Sequence, residues 1–294
     1  RLKFGIIGIS PGNGHPYSWS AILNGYNVER MAECPFPVIA NYLGKQKYPD
    51  DFIYDAEVTH IWTQNLKDTE HIADSTYIPN RVTSYEDMID EVDAVLLARD
   101  DYQYHQELAA PFLKAGLPVY IDKPLANSVE SAQKILELAQ NKENLFTCSA
   151  MRYARELDEI RPYADKIRYI SATTPKSWQL YSIHIIEPVV SLFGANKPQY
   201  IDREVDGEAT TLHVNYNERD VIFSSSGNAD RQIGLYIQYD DGSVQNLYFQ
   251  DMFYAFRETL RNFINLVKTG HNPIEFEETQ ACMEIIQMGR KGTS

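Results

Sequence analysis

The sequence is poor in cysteine, in positive charge and in long apolar runs, and each shortage excludes a class of protein. Its three cysteines, Cys34, Cys148 and Cys282, lie far apart, so they form neither a disulfide framework nor a metal knuckle. The net charge of −14 would repel nucleic acid and anionic membrane surfaces. No apolar run approaches the roughly 20 residues of a membrane-spanning helix. The composition is that of a globular chain of one large or two ordinary domains.

The first apolar run, Leu2–Ile9, predicts a buried strand, and because it begins almost at the first residue we expect no signal peptide. The turn after this strand is a candidate site for a dinucleotide diphosphate, with these residues: Gly8, Ser10, Gly12, Asn13 and Gly14. The dinucleotide pattern Gly-x-Gly-x-x-Gly is only partly present, because Ser10 and Asn13 stand at its second and third glycine positions. Such a loop can still offer main-chain N–H groups to the diphosphate.

Pro37–Leu43 is a second apolar run, which we interpret as the second strand. In dinucleotide-binding folds an acid near the end of that strand binds the cofactor ribose, but Tyr42 stands there in this chain. Lys45 and Lys47 follow. A dinucleotide fold predicts NAD or NADP as cofactor. The missing acid and the nearby lysines slightly favour NADP, because lysines can bind its 2′-phosphate. The alternative, that both lysines are solvated loop residues, is equally open.

The stretch Val92–Ala126 has the pattern of a strand, a helix and a second strand. Ala94–Ala98 and Pro118–Ile121 are short apolar runs, as in parallel strands that are covered on both faces, and Gly116 ends the helix between them. Polar side chains follow the two predicted strands: Arg99, Asp100 and His105 after the first, and Asp122 and Lys123 after the second. Ligands of parallel sheets bind beyond the carboxyl ends of the strands, so we predict that these residues contact the cofactor.

Asp122-Lys123-Pro124, with the helix that starts near His105 and the turn at Gly116, resembles the Gfo/Idh/MocA family of nicotinamide-dependent oxidoreductases (glucose–fructose oxidoreductase and inositol dehydrogenase relatives). The family motif is Glu-Lys-Pro, so Asp122 stands here in place of the longer Glu side chain. The resemblance implies an α/β fold, with an N-terminal Rossmann dinucleotide-binding domain over residues 1–124. A C-terminal α+β domain with a predominantly antiparallel open sheet is implied over residues 125–294. A cytoplasmic homo-dimer or homo-tetramer is implied as well. We predict that it associates through the C-terminal sheet, whose exposed face is rich in Tyr and Phe.

The second half of the chain contains short alternating runs that predict strands: Ile167–Thr173, Gln199–Val205, Thr210–Tyr216, Val221–Ser225, Gln232–Tyr239 and Val244–Phe249. Asp241-Gly242 predicts a hairpin turn between the last two. Apolar residues at helical spacing from Phe253 to Val267 predict a helix that ends at Gly270. This pattern agrees with the C-terminal domain that the resemblance implies.

A second group of candidate residues lies in the segment Ser177–Glu187. Relatives carry Asp-x-x-x-His on one helix, a spacing that places both side chains on the same face. Here His184 matches the histidine, whereas Leu180 stands at the aspartate position. Glu187 matches a further acidic position of the family. Metal binding by His184 and Glu187 is disfavoured, because no third ligand has convincing spacing. A purely structural role of His184 stays open.

The resemblance implies that Lys123 and His184 share the proton transfer that accompanies hydride transfer to or from nicotinamide. We predict that Lys123 acts as the base and that His184 orients the substrate hydroxyl or relays its proton. Tyr181 would substitute for the missing aspartate as a hydroxyl donor. The predicted substrate-binding residues are Arg152, Tyr153, Trp178 and Glu187. For Arg152, a structural salt bridge with the acidic helix that follows it is the alternative.

Three functions remain open. The first is an NAD(P)-dependent oxidoreductase that acts on a sugar, a polyol or a related small hydroxy compound. The second is a non-catalytic or regulatory relative that binds a dinucleotide or a sugar, which the altered loop at Ser10 and Asn13 and the exchange at Leu180 would favour. The third keeps a tightly held cofactor and carries out redox-assisted elimination or glycoside cleavage. The sequence favours the first, and it does not identify the substrate.

Overall fold

The computed structural model describes residues 1–290, and the chain divides into two compact units. The first unit contains Arg1–Leu125, Gln133–Thr147 and Phe256–Pro273. The second unit contains Ala126–Ala132, Cys148–Ala255 and the described residues from Ile274 onward. These units are defined by packing alone, so the functional division into residues 1–124 and 125–294 stays a prediction. Residues 291–294 of that second domain lie outside the described residues.

A parallel sheet forms the centre of the first unit. Within residues 1–290 its six strands are β1 Leu2–Gly8, β2 Ala56–Thr63, β3 Asn80–Arg81, β4 Ala94–Leu97, β5 Val119–Ile121 and β6 Leu145–Phe146. Their order is β3-β2-β1-β4-β5-β6, and each pair of neighbours is parallel. This is the strand order of dinucleotide-binding folds, in which the direction of strand addition reverses beside β1.

The helices have these bounds: α1 His15–Asn24, α2 Val28–Ala32, α3 Pro37–Leu43, α4 Leu66–Thr76, α5 His105–Lys114, α6 Val129–Leu136, α7 Arg155–Asp158, α8 Trp178–Tyr181, α9 Ile183–Phe193, α10 Met252–Thr269 and α11 Phe276–Met288. Although α10 comes late in the chain, most of it belongs to the first unit. Its Phe263 ring lies 5.6 Å from Phe4, 5.8 Å from Tyr120 and 5.5 Å from Phe146, centroid to centroid. These aromatic contacts bury β1, β5 and β6 on one face of the sheet.

The interpretation of Pro37–Leu43 as the second strand is wrong, because these residues form helix α3. The second strand is β2, Ala56–Thr63, which pairs in parallel with β1. A short apolar run fits a strand and a buried helix turn equally well, and Pro37 favours a helix start because its φ is already helical and its missing N–H is not needed there. Tyr42, Lys45 and Lys47 therefore do not follow the second strand. The reason that favoured NADP is lost with that assignment.

The second unit is built on a mixed, mostly antiparallel sheet. Its strands within the described chain are β7 Ile167–Thr174, β8 Gln199–Asp206, β9 Ala209–Tyr216, β10 Arg219–Ser225, β11 Gly234–Tyr239 and β12 Val244–Tyr248. Their order is β12-β11-β7-β10-β9-β8, and the β7–β10 pair is parallel. The predicted hairpin is confirmed, since β11 and β12 pair antiparallel around Asp241-Gly242, where Gly242 has a φ of 83°. The fold class expected from the sequence is therefore confirmed.

One face of the second sheet is covered by helices. Buried and half-buried residues alternate along β9, as expected when only one face of a strand packs against a core. The apolar helix α9 packs against β7 and against α11. Among the described residues, no helix has the length and apolar character needed to cross a membrane.

Candidate active site

Side chains from the ends of three strands of the first unit meet beside β1, where the strand order reverses. Ser10, which follows β1, donates a hydrogen bond of 2.6 Å from its Oγ to Oδ1 of Asp100, which follows β4. Lys123, which follows β5, places its Nζ 3.5 Å from the other carboxylate oxygen of Asp100. Ser10 and Lys123 are almost fully buried. The structure thus brings together three predicted residues at the edge where parallel sheets bind ligands.

Asp122 connects the loop after β1 to the end of β5. The carboxylate is fully buried and accepts hydrogen bonds from His15 Nδ1 at 2.6 Å, Asn13 Nδ2 at 2.8 Å and the main-chain N–H of Lys123 at 2.8 Å. Burial alone would raise the pKa of Asp122, but the charge and hydrogen bond of His15, with Lys123 and Asn13, outweigh it and hold the pKa well below its usual range. Asp122 is therefore an ionised anchor for the loop.

The glycines of the loop make room for neighbouring residues and leave donors available. A Cβ on Gly14 would lie 2.5 Å from Cδ1 of Ile39, and a Cβ on Gly8 would lie 2.5 Å from Cγ of Pro16. Gly12 has a φ of +76° and is exposed. Within residues 1–290, the main-chain N–H groups of Gly12 and Gly14 have no hydrogen-bond partner. These N–H groups at the start of α1 are the kind of donors that hold a dinucleotide diphosphate, so the residues present fit such a group.

Gln64 follows β2 and therefore stands where a ribose-binding acid is found in dinucleotide-binding folds. Its carboxamide exchanges two hydrogen bonds with the main chain of Ile9: it accepts one of 3.0 Å and donates one of 2.6 Å. Arg99 Nη1 donates to the same oxygen at 3.2 Å, while its Nε and Nη2 bind Asp101 at 2.9 and 2.6 Å. The guanidinium of Arg99 is thus already neutralised by a carboxylate.

Two further predicted cofactor residues lie inside the first unit. His105 is fully buried, and its ring nitrogens face backbone carbonyl oxygens, Nδ1 that of Leu125 at 2.9 Å and Nε2 that of Arg99 at 2.6 Å. The ring of His105 therefore connects the segments after β4 and β5. Tyr42, on α3, donates a hydrogen bond from its hydroxyl to Ser18, and burial raises the pKa of Tyr42. Both side chains use their polar atoms within the protein.

In the second unit, the structure places the predicted residues Tyr181 and His184 in contact. Their rings pack edge to face with centroids 5.1 Å apart, and Lys176 donates from Nζ to the hydroxyl of Tyr181 at 2.7 Å. Nδ1 of His184 lies 2.9 Å from Oγ of Ser149, which follows β6. Leu180, at the position of the family aspartate, is about half exposed and belongs to α8.

Arg152 and Glu187 form a buried ion pair, so Arg152 has a structural salt bridge, but with α9 rather than with the acidic helix that follows Arg152. Arg152 donates from Nε to Glu187 at 2.6 Å and from Nη1 to Glu278 at 3.2 Å. Cys282 donates from Sγ to the other oxygen of Glu187 at 3.4 Å. Burial would lower the pKa of Arg152, but Glu187 and Glu278 outweigh it and raise that pKa above its usual value. Both charges of the pair are thus neutralised inside the second unit.

Trp178 and Tyr153 complete the predicted substrate-binding residues. Trp178 is 2% exposed, and its Nε1 donates to the carbonyl oxygen of Ile286 at 2.9 Å, so it belongs to the core of the second unit. Tyr153 lies half-buried at the end of a short helical turn, and burial raises the pKa of its hydroxyl.

The sequence did not identify three residues of these clusters: His15, Gln64 and Ser149. His15 directly follows the glycine loop, and that position at the start of α1 was the available signal. Gln64 would have been found with a correct assignment of β2. The sequence gives no signal for Ser149, because its contact with His184 joins residues that are 35 positions apart.

Comparisons with known proteins agree with this architecture. The family model of the Gfo/Idh/MocA proteins, described as an oxidoreductase family with an NAD-binding Rossmann fold, matches residues 2–149. A curated relative, inositol 2-dehydrogenase of Corynebacterium glutamicum (strain R), is 39% identical over 83 residues, which is 27% of this chain. That match spans 24% of the relative, about a quarter of its length.

Solved structures with the same fold cover nearly the whole chain. A dehydrogenase (MviM) from Clostridium difficile has a TM-score of 0.70 and 17% identity, with 98% of both chains covered. Apo scyllo-inositol dehydrogenase from Lactobacillus casei has a TM-score of 0.73 and 12% identity, with 98% of this chain and 94% of that chain covered. Myo-inositol 2-dehydrogenase from Lactobacillus plantarum has a TM-score of 0.70 and 15% identity, with 97% and 95% covered. At these identities they show the fold alone. On the family match over its first half, the chain belongs to the Gfo/Idh/MocA family of NAD-binding oxidoreductases.

Proposed function

We propose that the protein is an NAD(P)-dependent oxidoreductase that transfers a hydride between the nicotinamide and a sugar, a polyol or a related hydroxy compound. The observation that carries this proposal is the group formed by Ser10, Asp100 and Lys123 beside β1, with hydrogen-bond distances of 2.6 and 3.5 Å. A buried lysine at the ligand-binding edge of a dinucleotide fold is placed for proton transfer rather than for solubility.

Lys123 is the proposed proton-transfer residue. The bound nicotinamide supplies the hydride acceptor or donor, and the substrate hydroxyl must lose its proton as the carbinol carbon is oxidised. In its amine form, Lys123 accepts that proton on Nζ. The carboxylate of Asp100, 3.5 Å from Nζ, then holds the resulting ammonium group. Ser10 keeps the carboxylate in place through its hydrogen bond to Oδ1 of Asp100.

The cofactor and substrate classes follow from the loop and from the partial relative. We propose that Gly8, Gly12, Asn13 and Gly14 surround the diphosphate, with unpaired N–H groups on Gly12 and Gly14 within the described chain as the support. A cyclic polyol is the favoured substrate, since the match of 83 residues is to an inositol 2-dehydrogenase. In the second unit, His184 and Tyr181 are the proposed substrate-contacting residues.

A relative that binds a dinucleotide or a sugar without turnover is the second candidate, and Leu180 favours it, because this residue stands where the family motif has an aspartate. The charge beside the loop bears on cofactor affinity. Asp100 and Asp122 each bond a loop residue, Ser10 and Asn13 respectively. A diphosphate is an anion, so two carboxylates next to the loop weaken its binding unless neighbouring positive charge compensates for them. Lys123 forms an ion pair with Asp100, and the imidazole of His15 hydrogen-bonds Asp122.

The test begins with fluorescence titrations of NADH and NADPH, followed by initial rates with NAD⁺ or NADP⁺ and a panel of inositols and sugars. We expect Lys123→Met, assayed at saturating cofactor, to lower kcat by at least about 100-fold, the usual size of a general-base contribution. The matched control is Lys45→Met, because Lys45 is exposed. Unimpaired turnover in Lys123→Met would refute the role of Lys123. Binding without turnover of any substrate would favour the second candidate, and no binding at all would refute both.

We also propose a homo-dimer or homo-tetramer that associates through the sheet of the second unit. Large apolar side chains are exposed on both edge strands: Tyr200 and Ile201 on β8, and Val244 and Tyr248 on β12. An exposed apolar surface of this kind is typical of an interaction site. Light scattering during gel filtration measures the molecular mass, and a monomer at all concentrations would contradict this proposal.

A further inference from the structure

We propose that Ser149 is a positioning residue that holds His184 as a hydrogen-bond donor through Nε2–H. The inference rests on the proposed function, because it assigns His184 a role toward the substrate oxygen. The Oγ of Ser149 lies 2.9 Å from Nδ1 of His184, and Ser149 is fully buried at the end of β6. A buried serine leaves the imidazole ring little freedom to rotate.

The direction of this hydrogen bond follows from the other contacts of Ser149. Its Oγ already accepts a hydrogen bond from the main-chain N–H of Met151, at 3.3 Å, and so begins the helical turn that follows β6. Within residues 1–290, the hydroxyl proton of Ser149 has no acceptor other than Nδ1 of His184. The hydroxyl therefore donates to Nδ1, which must then be unprotonated, and a neutral imidazole carries its single proton on Nε2.

This arrangement differs chemically from the one that the family motif provides. A carboxylate beside a histidine accepts a hydrogen bond and favours a proton on the nitrogen that faces it. In this chain the residue at the aspartate position is Leu180, and Ser149, which contacts Nδ1 of His184, is a donor. A proton on Nε2 can be donated to a substrate hydroxyl or carbonyl oxygen, but Nε2–H cannot accept a proton. His184 is therefore assigned as a donor and not as the base.

The first experiment measures the tautomer directly and needs no turnover. Long-range ¹H–¹⁵N correlation spectra distinguish a protonated from an unprotonated ring nitrogen, and the spectrum of His184→Gln assigns the signals of His184. At a pH at which the imidazole is neutral, we expect His184 to show an unprotonated Nδ1 and a protonated Nε2. A protonated Nδ1 in the wild-type protein would overturn the inference.

Variants then test whether Ser149 is the cause. We expect Ser149→Ala to shift the His184 ring nitrogens toward a mixture of tautomers, whereas Ser191→Ala, on the same helix α9, should leave them unchanged. With an active substrate, Ser149→Ala should lower kcat about tenfold, the effect of one ordinary hydrogen bond, and leave the cofactor Kd unchanged. An unchanged tautomer in Ser149→Ala would refute the positioning role. Absence of turnover in the wild-type protein with every substrate would instead refute the proposed function and leave the tautomer result standing.

Discussion

The carboxylate of Asp122 offers the sharpest test of how the loop after β1 is held. We consider Asp122→Asn, which keeps the shape of the side chain and removes its charge. The new amide group would face two donors, His15 Nδ1–H and Asn13 Nδ2–H, which both bond Oδ2 of Asp122 in the wild-type protein. When the amide nitrogen of the new Asn takes the place of Oδ2, both donors lose their acceptor in a buried site.

The expected cost combines two effects. A hydrogen bond to a charged group contributes about 1.5–3 kcal/mol, and a buried donor without an acceptor costs about 1–3 kcal/mol. Part of this is recovered, because the carbonyl oxygen of the new Asn can still accept the main-chain N–H of Lys123, which bonds Oδ1 at 2.8 Å in the wild-type protein. We therefore expect Asp122→Asn to lower the free energy of unfolding by about 3 kcal/mol at pH 5.

The pH dependence of this cost has a definite sign. The pKa of Asp122 is lower in the folded protein than in the unfolded chain, where it is near 3.9. The stability that the carboxylate contributes is therefore complete above the unfolded pKa and is lost as the pH falls toward the folded pKa. Between pH 5 and pH 3 the difference between wild type and Asp122→Asn should shrink by about 1.2 kcal/mol.

Urea unfolding followed by tryptophan fluorescence measures these differences, because Trp19 is buried in the first unit and its ring stacks on that of His15 at 4.8 Å. Asp90→Asn is the control, since Asp90 is exposed and should change stability by less than about 0.5 kcal/mol. The reasoning fails if Asp122→Asn is as stable as the wild-type protein at pH 5. It also fails if the difference between the two proteins is the same at pH 3.

Two further predictions concern the core of the second unit. Gly289→Ala would place a Cβ 2.0 Å from Cε2 of the buried Trp178, so we expect the free energy of unfolding, measured with urea, to fall by about 3 kcal/mol. The same change should cost less in a Trp178→Leu background, where the clashing ring is absent. Arg152→Leu would leave the carboxylate of Glu187 without its cation, with an expected loss of about 3–5 kcal/mol. The exposed Arg155→Leu should cost less than about 1 kcal/mol, and equal losses for the two arginines would contradict the buried ion pair.

The sequence predicted most of the fold because its patterns are local. The run Ala94–Ala98 corresponds to β4, and Val244–Phe249 corresponds to β12 within one residue at its end. Each of these runs carries its own signal, either an unbroken apolar stretch or an alternation, and turn residues limit it. The Asp241-Gly242 hairpin is specified in the same way.

Pro37–Leu43 shows where local patterns stop being sufficient. Its seven residues form a helix, and the true second strand is Ala56–Thr63. Only the pairing of Ala56–Thr63 with β1 identifies it as the second strand, and pairing is a long-range property. One wrong assignment therefore moved the predicted ribose site from Gln64 to Tyr42.

The candidate site was predicted by residue type but not by contact. Lys123 and Asp100 were both named because they follow strand ends, and His184 was named from the family motif. Their contacts do not follow from the sequence, because hydrogen bonds such as that between His15 and Asp122 join residues 107 positions apart. A single sequence contains no record of such pairs. Spatial pairing thus has to come from the structure.

Three departures from the family patterns belong to one arrangement: Ser10 and Asn13 in the dinucleotide pattern, and Asp122 in the lysine motif. Ser10 and Asn13 stand where the pattern has glycine, and each donates a hydrogen bond to a carboxylate that follows a strand, Ser10 to Asp100 and Asn13 to Asp122. Glycine has no side chain that could do this. The loop is therefore fixed to β4 and β5 by side chains, while Lys123 pairs with Asp100 and His15 hydrogen-bonds Asp122. The loop that looks degenerate in sequence is, in the structure, an anchored one whose N–H donors remain available at Gly12 and Gly14 within the described chain.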